Sequence, residues 1–153
     1  MIGALTRVQC EHVLKCELVG RIGCAAADKV YIIPVTYVFH DKFIYAHSKE
    51  GLKIRMMRKN PKVCFQVESR ESMRDWRSVI LWGRYEELKS VSEQKKALKI
   101  LSDHLLPFLL SESLRPAGYV DAPRQVERER KPVIYRISID EITGRFEKSD
   151  SQF

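Results

Sequence analysis

The sequence predicts a mainly β protein, a small antiparallel barrel of six strands with two or three peripheral helices. Three observations predict it. Apolar and polar residues alternate over short segments, as where Val63, Phe65 and Val67 alternate with Cys64 and Gln66. Several of these segments are joined by short polar turns, such as Asp28-Lys29 and His40-Asp41-Lys42, which favour hairpins. The 153 residues suit one domain spanning 1–153, long enough to bury a core without disulfide staples.

The elements follow in order. Thr6 with Gln9 three residues on matches a capping box, with Leu5 as a staple, and predicts a helix over 7–18 that carries Val8, Val13, Leu14 and Leu18 and stops at Gly20. Strands over 21–27, 30–39 and 43–46 read as three consecutive antiparallel strands, a meander. Pro34 inside the second one lacks a ladder donor, so an edge or an interruption is expected there. A helix over 49–59 ends at Asn60-Pro61 and faces the core with Leu52, Met56 and Met57. Strands over 62–68 and 76–88 enclose a polar loop, 69–75. The longer strand is apolar on both faces, which implies cover on both and a core position for Trp82. Gly83 marks a bend or a close backbone approach. Ser92 is expected to cap a helix over 93–105, with Ala97, Leu98, Leu101 and Leu105 inside and Pro107 ending it. A loop over 114–131 precedes a last strand, 132–140, and a short tail element over 142–147.

Composition narrows the function. At 44% hydrophobic and 31% charged, the chain reads as an ordinary soluble globular protein. No apolar run reaches the roughly 18 residues a membrane span needs, and the charged first segment is unlike a secretory signal, so the cytoplasm is the expected location. Cys10, Cys16, Cys24 and Cys64 form no CxxC pair; they read as reduced thiols, Cys24 and Cys64 in the core, and no metal site is expected. The net charge of +7 admits a nucleic-acid partner. The cations are dispersed, however, and the aromatics alternate in core-like patterns, which weighs against that reading.

Residues 45–61, Tyr-Ala-His-Ser-Lys-Glu-Gly-Leu-Lys-Ile-Arg-Met-Met-Arg-Lys-Asn-Pro, carry the most chemistry. A strand runs into a lysine-bearing helix, so backbone N–H groups, the Ser48 hydroxyl and the Lys49 and Lys53 ammonium groups converge where a phosphate would be bound. Ser48 reads equally as an N-cap, and one serine can serve both roles. His47 reads as a phosphate ligand, as a proton donor beside a bound cofactor, or as a structural histidine. Arg58 and Lys59 are expected on a solvated helix face.

In combination the motifs resemble the split-barrel FMN-binding proteins related to pyridoxamine 5'-phosphate oxidase, in particular their nitroimidazole-resistance-like branch. The resemblance rests on Gly20-Arg21-Ile22-Gly23, Tyr31-Ile32-Ile33-Pro34-Val35-Thr36-Tyr37, the segment from Ile44 to Lys53, Asn60-Pro61-Lys62-Val63-Cys64-Phe65, Trp76-Arg77-Ser78-Val79 with Gly83-Arg84, and the late Gly144-Arg145. It implies a six-stranded antiparallel split β-barrel and a homodimer holding FMN at the subunit interface. It further implies hydride or electron transfer between NAD(P)H, the flavin and a small acceptor. By the same resemblance Pro34, Val35 and Thr36 lie along the flavin ring, and His47, Ser48, Lys49 and Lys53 surround its phosphate. Trp76, Arg77 and Ser78 lie near ring or phosphate, from either subunit, and His47 is the candidate catalytic residue. The chain departs from the true oxidases in lacking their Arg-x-His motif and late tryptophan, so pyridoxamine phosphate is not the expected substrate. A related split barrel binding haem or a deazaflavin is the alternative on the same fold.

Overall fold

The computed structural model describes residues 1–109 and 132–149; the expected loop over 114–131 lies outside the described residues. The elements run β1 (Ile2–Ala4), α1 (Arg7–Cys16), β2 (Val19–Ala26), β3 (Lys29–Thr36), β4 (Val38–His40), β5 (Phe43–Ser48), α2 (Leu52–Lys59), β6 (Lys62–Arg70), β7 (Trp76–Glu87), α3 (Val91–Leu109) and β8 (Val133–Glu147). One antiparallel sheet curls in the order β3-β2-β6-β7-β8-β5-β4, with β1 added on β8. The expected mainly β split-barrel architecture is present, with eight strands in place of six.

One of the two additional strands is β1, not expected from the sequence; the other has a local cause. The segment read as one strand over 30–39 is two, broken at Tyr37. β3 pairs with β2, whereas β4 pairs with β5, at the opposite end of the sheet. The chain therefore crosses from one sheet edge to the other at Tyr37, and the expected meander does not form. Pro34 sits on the edge strand β3 opposite Arg21, where its missing donor costs no ladder bond. The turns are two-residue connections at Ala27-Asp28 and Asp41-Lys42, all four residues at positive φ between 46° and 66°. The predicted last strand and tail element are one strand, β8, with a register shift opposite Trp82 and Gly83. Gly83 is required there, since a Cβ would lie 1.7 Å from the Ser138 carbonyl oxygen.

The inner face of the sheet holds the main core. Ile22, Phe65, Val67, Val79, Leu81, Tyr135 and Ile137 pack there with Val13 and Leu14 of α1 and Ile54, Met56 and Met57 of α2. The Thr6–Gln9 capping box opens α1 as expected, with Thr6 N–H donating to the Gln9 amide oxygen at 2.8 Å. Val8 is exposed and α1 ends at Cys16, so Gly20 falls inside β2. A second cluster lies on the outer face, where Ala97 and Leu101 of α3 cover Val38, Tyr45 and Ile134. Ser90, rather than Ser92, caps α3 by accepting the Glu93 N–H, and the helix runs through Pro107. Leu98 is exposed.

α3 covers the sheet only over β4, β5 and β8. Among the described residues, no helix covers the outer face of β3, β2, β6 and β7. Trp82, expected in the core, is 43% exposed there, with Ile80 exposed on the same strand and Ile32 exposed three strands away on β3. Cys64 is half-buried on this same face, next to Gly23 and Trp82, whereas Cys24 points into the core.

Candidate phosphate corner and the divided site

β5 delivers His47 and Ser48 at its end, opposite Ile134 and Val133 of β8. Helix α2 starts three residues later than its expected beginning, at Leu52, with Gly51 as N-cap. The expected Ser48 cap is therefore not formed. Its hydroxyl donates instead to the Lys49 carbonyl oxygen at 2.9 Å. A serine three residues outside the first turn cannot reach the helix donors, and glycine has no side chain to offer them. The N–H groups of the first turn of α2 thus carry no side-chain cap.

Lys53 stands in that first turn and is half-buried. It makes no hydrogen bond or ion pair with another described residue. Burial pushes its ammonium below the ordinary lysine value, and the nearby Cys24 thiol acts weakly the other way. The Cys24 thiol is raised in turn, mainly by burial and then by Cys64, with Lys53 opposing. A desolvated cation beside uncapped helix donors is an arrangement that an anion would complete. His47 and Lys49 are exposed at the same corner.

The other predicted site residues lie elsewhere. On β3 the side chains of Pro34 and Thr36 face outward, while Val35 packs against the core, so only its backbone is presented at the edge. Trp76, Arg77 and Ser78 begin β7. The Trp76 indole donates to Glu147 at 3.0 Å, and the Ser78 hydroxyl accepts from Gln66 at 3.2 Å. Trp76 and Arg77 line an open depression of about 380 Å³ with Leu5, Gln9, Asp75 and Phe146.

Within one chain these groups do not meet. His47 lies opposite Ile134 at the start of β8, and Trp76 lies opposite Glu147 at its end. Thirteen residues of extended strand separate the two positions, roughly 40 Å at about 3.3 Å per residue.

Sequence reasoning missed one feature of the corner. Arg58, assigned to a solvated face, forks between two carboxylates. It donates to Glu50 at 2.6 and 3.0 Å and to Glu87 at 2.5 and 3.2 Å. The eight-residue spacing of Glu50 and Arg58, about two helical turns, was the available signal. Glu87 comes from another element and left none. Among the described residues, no group of three or more His, Cys, Asp or Glu is placed to hold a metal ion, and no helix is long and apolar enough to cross a membrane.

The chain is similar to known proteins along nearly its whole length. It is 30% identical over 148 residues to an uncharacterized protein of Rhizobium meliloti, covering 94% of each. A FAD-binding protein of Mesorhizobium loti is 32% identical, with 97% and 99% of the two chains covered and a TM-score of 0.76. A nitroimidazole-resistance-like protein of Bacteroides thetaiotaomicron shares the fold at 17% identity, TM-score 0.69, over 95% and 87% of the chains. The model of the pyridoxamine 5'-phosphate oxidase family matches residues 6–146, and the chain belongs to that family.

Proposed function

We propose that this protein binds FMN and serves as an oxidoreductase, passing hydride or electrons from a nicotinamide cofactor to a small acceptor. The observation that carries the reading is Lys53, a half-buried cation with no hydrogen-bond or ion-pair partner among the described residues, at the uncapped start of α2. The similarity to the FAD-binding protein of Mesorhizobium loti supports a flavin ligand.

FMN ends in a phosphate monoester of nearly two negative charges, which Lys53, Lys49, the Ser48 hydroxyl and the α2 N–H groups would balance together. A bound flavin supplies the redox chemistry itself. The chain's residues bind and orient it: His47 at the corner donates a proton to the acceptor, and the β3 edge over Pro34, Val35 and Thr36 presents backbone groups to the ring. Trp76, Arg77 and Ser78 complete the site from a second copy, because their own corner is a full strand length away. The second copy packs on the outer face of β3, β2, β6 and β7, where Ile32, Ile80 and Trp82 are exposed.

Purification followed by absorption spectroscopy and mass spectrometry of the released small molecule tests the reading. FMN near one equivalent per chain is the expected result. Released FAD would keep a flavin and replace the monoester assignment. Colourless protein that takes up no added flavin would overturn the proposal, and a haem or deazaflavin spectrum would assign the fold's other ligand classes.

A further inference from the structure

We infer that Arg58 is a positioning residue for the phosphate corner: by binding Glu50 it turns that carboxylate away from the anion and ties the 49–51 turn to the sheet. The inference rests on the phosphate reading of Lys53.

The sequence places an acidic group where an anion should be least welcome. Glu50 lies between Lys49 and the N-cap Gly51, three residues from Lys53. A carboxylate turned toward the uncapped N–H groups would occupy them or repel a phosphate. The structure shows it held elsewhere. Both Glu50 oxygens accept from Arg58, which sits in the last turn of α2, so the bond runs along the helix from end to beginning. The same guanidinium holds both oxygens of Glu87 at the end of β7, and the Glu87 side chain is only 17% exposed. A planar fork with five donors can engage both oxygens of two carboxylates at once, whereas the three donors of a lysine cannot. The turn, the helix and the sheet are thereby joined at one side chain. The Tyr85 hydroxyl is buried beside this fork: burial is the main cause that raises its phenol, Glu87 raises it further and Arg58 opposes both. The Arg58 guanidinium is engaged by Glu50 and Glu87 and acts on the anion only through Glu50 and the turn.

The experiment compares FMN with riboflavin, which lacks the phosphate, on the full chain. R58A is expected to weaken FMN by about tenfold and riboflavin by less than about twofold. The released carboxylate is then removed: R58A/E50A is expected to regain most of the lost FMN affinity, and R58K is not. Equal loss for FMN and riboflavin would make Arg58 a general fold contact and overturn the inference. Selective FMN loss without recovery in R58A/E50A would mean that Arg58 touches the phosphate itself, which also overturns it. Wild-type protein that binds neither flavin would instead sink the phosphate reading, and this inference with it.

Discussion

The Tyr37 hydroxyl donates to the Leu14 carbonyl oxygen at 2.8 Å, and both residues are fully buried. The bond fastens α1 to the one residue at which the chain leaves one edge of the sheet for the other. The Tyr37 N–H adds a 3.0 Å bond to the Leu18 carbonyl oxygen, and its ring meets Phe65 edge-on at 4.9 Å. Tyr37→Phe removes the donor, keeps the ring, and leaves the carbonyl without this partner. A loss of about 1–2 kcal/mol is expected, or a fall in Tm of roughly 3–6 °C for a chain of this size. Calorimetry checks it; an unchanged Tm would mean that the crossover is held by packing alone.

Tyr37, Tyr85 and Tyr135 also set an alkaline limit. Burial is the largest cause that raises each phenol well above the ordinary value of 10.0. Below about pH 10 the phenol is neutral in both states and the stabilisation is complete. Above it the unfolded chain releases protons that the folded chain keeps, so stability falls as pH rises. Tyr37 and Tyr135 together should cost about 3 kcal/mol per pH unit, and Tyr85 steepens the loss. Urea midpoints across this range, read with the tyrosinate absorbance, check the expectation. Early titration of these phenols in the folded protein would contradict it.

Much of this fold was legible because local rules and tertiary packing agree. The Thr6–Gln9 capping box, the alternation over 62–68 and the close approach at Gly83 are all present where the residues indicate them. The failures have a shared cause. Val30 to Phe39 is apolar almost throughout and its one breaker, Pro34, lies three residues too early, so nothing local reveals that Tyr37 is drawn inward by α1 and parts β3 from β4. Trp82 looks like core because its face of β7 is apolar, yet the strand alone does not say how far α3 reaches across the sheet. The candidate site was legible at Lys53, where helix start and charge coincide in sequence. It was not legible at Arg58, because the second carboxylate comes from β7.

Lys53→Met tests the anion seat against stability. Methionine keeps most of the side-chain volume and removes a desolvated charge. Without ligand, stability should stay level or rise by up to about 0.5 kcal/mol. FMN affinity should fall by about tenfold or more, the equivalent of a charge-assisted contact of about 1.5–3 kcal/mol, while riboflavin affinity changes little. Isothermal titration with both ligands checks this. Equal FMN affinity in the variant would move the phosphate away from α2.

Trp82→Arg tests the uncovered face. In one chain Trp82 is 43% exposed, flanked across the sheet by Cys64 and near Ile80. Arginine at an exposed strand position should leave the isolated fold within about 0.5 kcal/mol of the parent. If a second copy packs there, two-fold symmetry brings the substituted face against its own copy, and the buried charge costs several kcal/mol. The expected outcome is a folded monomer by sedimentation with flavin lost, because His47 to Lys53 of one chain no longer faces Trp76 to Ser78 of the other. A dimer that persists with flavin bound would place the interface on another surface. A monomer that keeps its flavin would show that one chain holds the cofactor alone, and the roles given to Trp76, Arg77 and Ser78 would fall.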